Sequence, residues 1–254
     1  MTIKAILFGS IGAVAETSDI QRRAYNQAMR EHGLQWDWSP EVYSELLETS
    51  GGKDRLALLA KATGTHLSNE DIAHIHARKT EIACREVRES GIVTFRPGVE
   101  ALVRHAKDQG LKLGFVTTTY RSNVDAILSL KSDHFSEDDL DVIILREDVQ
   151  AGKPSPEAYQ VALSRLGVSA SEAIAIEDTH NSILSAKRAG LTVIATPGAL
   201  KAGQDTHEAD LALSDLGDGQ AVDSQVLELI GYAKVPLHDA RETRLGQKPV
   251  PSMA

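Results

Sequence analysis

Three short segments carry residue types that can hold a phosphoryl group. Thr117, Thr118 and Thr119 follow one another directly after an apolar run. Hydroxyls and backbone N–H groups freed at a strand end cradle anions. A Thr-rich strand end that merely caps the next helix would read the same way. Lys153 stands in Gly152-Lys153-Pro154-Ser155-Pro156. An ammonium on a loop stiffened by proline can neutralise a phosphate or a carboxylate, although a lone lysine is more often solvated. Glu177 and Asp178 are adjacent acids at the end of another apolar run. Such a pair suits Mg²⁺, a hard cation that favours carboxylate oxygens. Asp178 would serve equally as a helix N-cap with no metal.

Other reactive residue types form no comparable pattern. His74 and His76 are two apart on a predicted helix, so they diverge around its axis and make a poor metal pair. His180 follows the acidic strand end, where a polar helix start explains it as well as a ligand contact does. Cys84 is the only cysteine, which excludes an intrachain disulfide and suits a reducing cytoplasm. Its surroundings read as packing.

The elements that must position these residues alternate in type. Ile3–Phe8 reads as a buried parallel strand, with Gly9 to Ala13 as a turn. From Pro97 onward, strands at 111–116, 142–145, 173–176 and 191–195 alternate with helices at 97–109, 122–130, 155–166 and 181–189. A weaker strand signal covers 211–213. Such alternation predicts a doubly wound parallel sheet, whose ligands bind at the carboxyl ends of the strands. Between the first strand and this series lies a block of helical pattern. Ile20, Ala24 and Ala28 share one face, and Ser68 with Asp71 forms a capping-box signature ahead of Ile72, Ile75, Ile82 and Val87. The expected organisation is an α/β core over 1–15 and 93–235, an inserted helical cap over 16–92, and a polar tail over 236–254.

Composition narrows the partners. A net charge of −9 without a dense basic run argues against nucleic acid, because neutralising phosphates needs clustered Lys and Arg. No apolar stretch approaches the roughly 18 residues of a membrane span. The run MTIKAILFG enters a strand pattern at once, so no signal peptide is expected.

Taken singly, each segment is ambiguous; their order along the chain is not. Strand, cap, strand with Thr, Lys-Pro loop, strand with Glu-Asp resembles the haloacid-dehalogenase (HAD) superfamily, and most closely its CbbY-like and β-phosphoglucomutase-like branch with a helical cap. The likeness runs through AETSDIQRRAYNQAM, GLQWDWSPEVYSELLETSGGKDR, FRPGVEAL, VTTTYRSNVDAIL, AGKPSPEAYQVAL and AIEDTHNSILSAKRAGL. The segment with Trp36, Trp38 and Gly51-Gly52-Lys53-Asp54-Arg55 is similar to the cap of CbbY-like proteins. The resemblance implies a sugar-phosphate phosphatase ancestry and an HAD-like doubly wound core. It implies phosphate binding by Thr117, Thr118 and Lys153, and Mg²⁺ on Asp178 with Glu177. It also implies a cap loop in which Lys53 and Arg55 reach the distal phosphate of a sugar phosphate.

The chain departs from the family where its chemistry begins. The first family motif, Asp-x-Asp-Gly-Thr, aligns with Gly9-Ser10-Ile11-Gly12-Ala13. Gly9 stands at the nucleophile and Ile11 at the general acid/base. Ser182 stands where a glycine is usual. An aspartyl-phosphate intermediate needs a carboxylate, and isoleucine cannot move a proton, a role worth about 10²–10⁴-fold in rate. Mg²⁺ binding should be weakened. The expectation is therefore a phosphosugar-binding pseudoenzyme. An active phosphatase or mutase-like enzyme with altered residues is the first alternative, and a non-catalytic interaction protein the second. No protein partner is specified by the sequence.

Overall fold

The strand Ala5–Phe8 (β1) is buried at all four positions and lies at the centre of the sheet. Its apolar residues face helices on both sides, which is why the run shows no polar alternation. The computed structural model of the chain describes residues 2–9, 11–49, 51–201, 205–218 and 220–231. Five further strands complete the sheet: Lys112–Val116 (β2), Val142–Ile144 (β3), Ala173–Glu177 (β4), Thr192–Ala195 (β5) and Leu211–Ala212 (β6). All pairs are parallel, in the order β3-β2-β1-β4-β5-β6. The order reverses direction at β1. The crevice outside its carboxyl end, between the ends of β2 and β4, is where this topology places ligands.

A single helical turn, Ile11–Val14 (α1), replaces the plain turn expected after β1. The chain then leaves the sheet and builds four helices: Ser18–Glu31 (α2), Pro40–Leu46 (α3), Gly52–Thr63 (α4) and Asn69–Glu89 (α5). The long α5 begins with the expected capping box, Ser68 and Asp71 each accepting from the other's backbone N–H. It packs along α2. Tyr25, Trp38 and Tyr43 form an aromatic cluster beneath them, with Tyr25 and Trp38 rings 4.7 Å apart. Asn26 holds Trp38 in place by accepting from its backbone N–H and donating to its carbonyl.

The chain returns beside its point of exit: Ala15 and Phe95 form an antiparallel bridge, and Arg96 N–H donates to Val14 O. The remaining helices are Val99–Asp108 (α6), Arg121–Leu128 (α7), Glu157–Leu166 (α8), His180–Arg188 (α9) and Ser224–Ile230 (α10). Pro97 does not open α6. Gly98, in the left-handed region, precedes the first helical residue, Val99. Likewise α9 starts at His180 with Thr179 at its N-cap, so Asp178 is not the cap. The expected tail over 236–254 lies outside the described residues.

Arg96 sews the return crossing to the core. Its guanidinium donates to the carbonyls of Gly12, Thr196, Pro197 and Ser214 and to the carboxylate of Asp215. The side chain is 9% exposed, so few of these acceptors would find water if it were removed. Arg96→Met is expected to lower unfolding free energy by about 3 kcal/mol, read as a shift of the urea midpoint at unchanged slope.

Candidate functional site

The ends of β1, β2 and β4 meet at a buried cluster built on Lys153. Its ammonium donates to the carbonyl of Gly9 after β1, to Val116 O at the end of β2 (2.9 Å), and to Glu177 Oε1 at the end of β4 (2.6 Å). Tyr159, on α8, donates its hydroxyl to the same Glu177 oxygen at 2.5 Å. The Lys153 and Glu177 side chains are 3% and 0% exposed. Lys153 is therefore not the solvated surface lysine that its residue type alone suggests. An ammonium has three protons, and three acceptors surround it. Burial pushes the Glu177 carboxyl upward, opposed by the adjacent Lys153. Burial, and then Glu177, raise the Tyr159 phenol well above its usual value.

This cluster fills the space beside position 9. A β-carbon on Gly9 would lie 2.1 Å from Tyr159 OH and 2.2 Å from Glu177 Oε1. Ile11, two residues on, lines the cavity with an apolar side chain. Ser10 lies outside the described residues. Neither Gly9 nor Ile11 brings an oxygen to the site from its side chain.

The cavity, of about 220 Å³, lies between this core end and the cap. Thr117, Thr118 and Thr119 line its core side with Asn123 and Asp178. Thr117 Oγ1 accepts from Thr119 N–H at 3.2 Å, and Asn123 donates to Thr119 Oγ1 at 2.9 Å. The cap side carries Arg55, Tyr25, Tyr43, His76, Lys79, and Gly51-Gly52 at the start of α4. Gly52 must be glycine because a β-carbon there would meet Tyr25 OH at 2.1 Å and His76 Nε2 at 2.6 Å. The expected pair of cap cations divides. Arg55 faces this cavity, whereas Lys53 faces an adjoining cleft and lies over the Tyr120 ring.

Lys79 is the cation that residue-by-residue reading missed. It is 7% exposed, its ammonium 4.8 Å from the centre of the Tyr25 ring, with no hydrogen-bond or ion-pair partner among the described residues. Its signal was present, since it occupies the apolar stripe of α5 with Ile72, Ile75 and Ile82. A lysine at such a position is buried with its charge unless it faces a ligand. His76 is held neutral, its imidazole lowered to about 3 by burial and by Lys79, Lys53 and Arg55. His74, on the outer face of α5, is exposed, as the divergence of the two histidines required. Tyr25 OH is buried without a hydrogen-bond partner. Cys84 packs against α7, donating weakly to Ser122 O, and burial raises its thiol. His180 is drawn toward Asp205 and His207 rather than the cavity.

Mg²⁺ needs several oxygen ligands in a regular shell. Here position 9 offers no carboxylate, Glu177 Oε1 already accepts from two donors, and the Gly9 carbonyl accepts from Lys153. Among the described residues no group of three or more His, Cys, Asp or Glu is placed to hold a metal. The expected ligands Asp178 and Glu177 thus form a donor set that does not fit Mg²⁺.

The structure is thus a doubly wound parallel α/β core with a helical insertion after its first strand and a buried Lys–carboxylate pair at its switch point. Comparison makes the assignment specific. Residues 7–196 match the family of haloacid dehalogenase-like hydrolases, and the chain belongs to it. Protein CbbY of Rhodobacter capsulatus is 38% identical over 216 residues, covering 85% of this chain and 95% of that protein. A crystal structure of a CbbY mutant from Rhodobacter sphaeroides in complex with xylulose-(1,5)bisphosphate is 37% identical. It has a TM-score of 0.77 and covers 87% of this chain and all of that one. A β-phosphoglucomutase from Clostridium difficile, 18% identical with a TM-score of 0.73, shares the fold.

Lys79 makes stability depend on pH. Its ammonium is lowered from 10.5 to about 7, chiefly by burial and then by Arg55, with Cys84 opposing. Between these values the unfolded chain holds the proton and the folded chain releases it. Stability must therefore rise with pH through that window. From pH 7 to 9 the gain from this group is about 2 kcal/mol. Denaturant titrations at the two pH values should show a component of that size that Lys79→Met lacks. No loss of slope in the variant would refute the assignment.

Proposed function

We propose that this chain is a phosphosugar-binding member of the CbbY-like group that does not turn over by the aspartyl-phosphate route. The observation that carries the reading is the closed space at position 9. Tyr159 OH and Glu177 stand where a nucleophilic side chain would begin, and Lys153 is held by the same cluster. Displacement at phosphorus needs an attacking oxygen and a group to move its proton. Gly9 and Ile11 supply neither.

Ligand capture remains supported by the cap. Arg55, the buried ammonium of Lys79, Tyr25 OH and the start of α4 converge on one cavity. Backbone N–H groups at a helix start, combined with two cations, suit a phosphate ester. The ligand class is therefore a phosphorylated small molecule, in keeping with the bisphosphate bound by the CbbY relative. A cytoplasmic setting fits a single thiol kept buried and protonated. Among the described residues no helix is long and apolar enough to cross a membrane.

The test is turnover of sugar phosphates and of p-nitrophenyl phosphate, with Mg²⁺ present, by the folded protein. No hydrolysis above buffer is expected. Robust hydrolysis that Lys153→Met abolishes would establish instead an active enzyme with altered residues. The double variant Gly9→Asp with Ile11→Asp is expected to gain measurable aryl-phosphatase activity. The new carboxylate must push Tyr159 and Glu177 aside, so the variant should lose about 1–3 kcal/mol of stability.

A further inference from the structure

A second cleft runs along α5, between that helix and the start of α7. Its volume is about 680 Å³, within the range of small-molecule sites. It shares only His76 with the wall of the cavity between core and cap. Ala73, Ala77 and the buried Cys84 recur on one face of α5 and give the cleft an apolar floor. At one end the partly exposed Tyr120 ring meets the His76 imidazole edge-on, with centroids 6.2 Å apart, and Lys53 lies over the same ring. At the other end stand Arg85 and Arg88, neighbours on the helix surface. Neither has an ion-pair or hydrogen-bond partner for its side chain among the described residues.

Acids outnumber bases in this chain, whose net charge is −9, yet the nearby acids are committed elsewhere. Glu81, the one acid that lines the cleft among the described residues, pairs with Arg78 at 2.8 Å. Asp125, close to Cys84 on α7, pairs with Arg121 at 2.5 Å. The arginine end therefore keeps a positive field over an apolar floor. From His76 to Cys84 the helix rises by about 12 Å. A ligand that satisfies both ends is extended, flat and apolar at one end and multiply anionic at the other. Tyr120 and His76 favour a planar ring over an alkyl chain, and guanidinium forks match the paired oxygens of a phosphate. A sugar phosphate lacks the ring, and an inorganic phosphate lacks the apolar part.

We propose that this cleft is a nucleotide site separate from the cavity between core and cap, holding a nucleoside di- or triphosphate with its base against Tyr120, His76 and Ala77 and its phosphates on Arg85 and Arg88. The proposal is independent of what the other cavity binds.

Calorimetric titration of the full chain with ADP tests it, with adenosine and pyrophosphate as the two halves of the ligand. ADP is expected to bind at least ~10-fold more tightly than either half. The double variant Arg85→Gln with Arg88→Gln should weaken ADP by ~10-fold or more. Ala77→Phe, which fills the floor, should do the same. All three positions are exposed on α5, and circular dichroism reports whether the helix survives each change. Arg55→Gln, in the other cavity, should leave ADP affinity unchanged. Pyrophosphate binding as tightly as ADP would show that no base is recognised and overturn the assignment. A loss of ADP affinity in Arg55→Gln with none in the folded α5 variants would move the nucleotide to the other cavity. No binding of ADP at millimolar concentration would overturn the proposal outright. So would a dimer, seen by sedimentation, that Ala77→Phe dissolves, because the cleft would then belong to a second copy of the chain.

Discussion

The Lys153–Glu177 pair is the interaction on which the site depends. Two opposite charges are buried 2.6 Å apart where three strands end, beneath the carbonyls of Gly9 and Val116. Neither charge is tolerable alone at that depth, because an unpaired buried ion loses its hydration with nothing in return. The pair therefore ties β1, β2 and β4 together through one ammonium. Tyr159 adds a donor from α8, linking the outer helix layer to the same oxygen. With glycine at position 9 the cluster closes up to the backbone, where a β-carbon would lie 2.1 Å from Tyr159 OH and 2.2 Å from Glu177 Oε1.

The cap presents a complementary problem. Its core is an aromatic cluster, yet one wall holds a buried lysine over a tyrosine ring. A cation–π contact offsets part of the desolvation and does not replace a hydrogen bond. The strain of that arrangement lies in an ammonium lowered to about 7 and in an unpartnered phenol. The cap is held over the core by Ser44 donating to Leu200 O and Asn181 donating to Glu48 O, both through backbone acceptors. Arg55 braces the loop before α4 from within, its Nε donating to Thr49 O at 2.9 Å.

Much of the architecture was legible before the structure. Fully apolar strands, glycines after helices and a capping box at Ser68 mark elements by local rules that tertiary context seldom reverses. Thr117, Lys153 and Glu177 were singled out because each ends a strand or rigid loop in an α/β pattern. Element starts were less legible: Pro97 and Asp178 both suit helix starts, and in both places the first helical residue, Val99 or His180, lies just beyond them. Lys53 and Arg55 were read as a pair because they are two residues apart on one loop. Their places in α4 separate them by about half a turn, so only Arg55 faces the cavity.

The sequence alone determined that positions 9 and 11 carry no oxygen on their side chains, since residue identity suffices for that. It also determined the parallel core with a helical insertion, because periodicity and strand burial are local properties of the chain. Tertiary structure decided which charges find partners. Lys153 and Glu177 are 24 residues apart and neutralise one another only because β4 ends beside the Lys-Pro loop. Lys79 and Tyr25 come from α5 and α2, far apart in the chain, and only the packing of these two helices leaves the ammonium over the ring on the cavity wall. Pairing of buried charges is a long-range property fixed by distance and dielectric, and no local pattern encodes it.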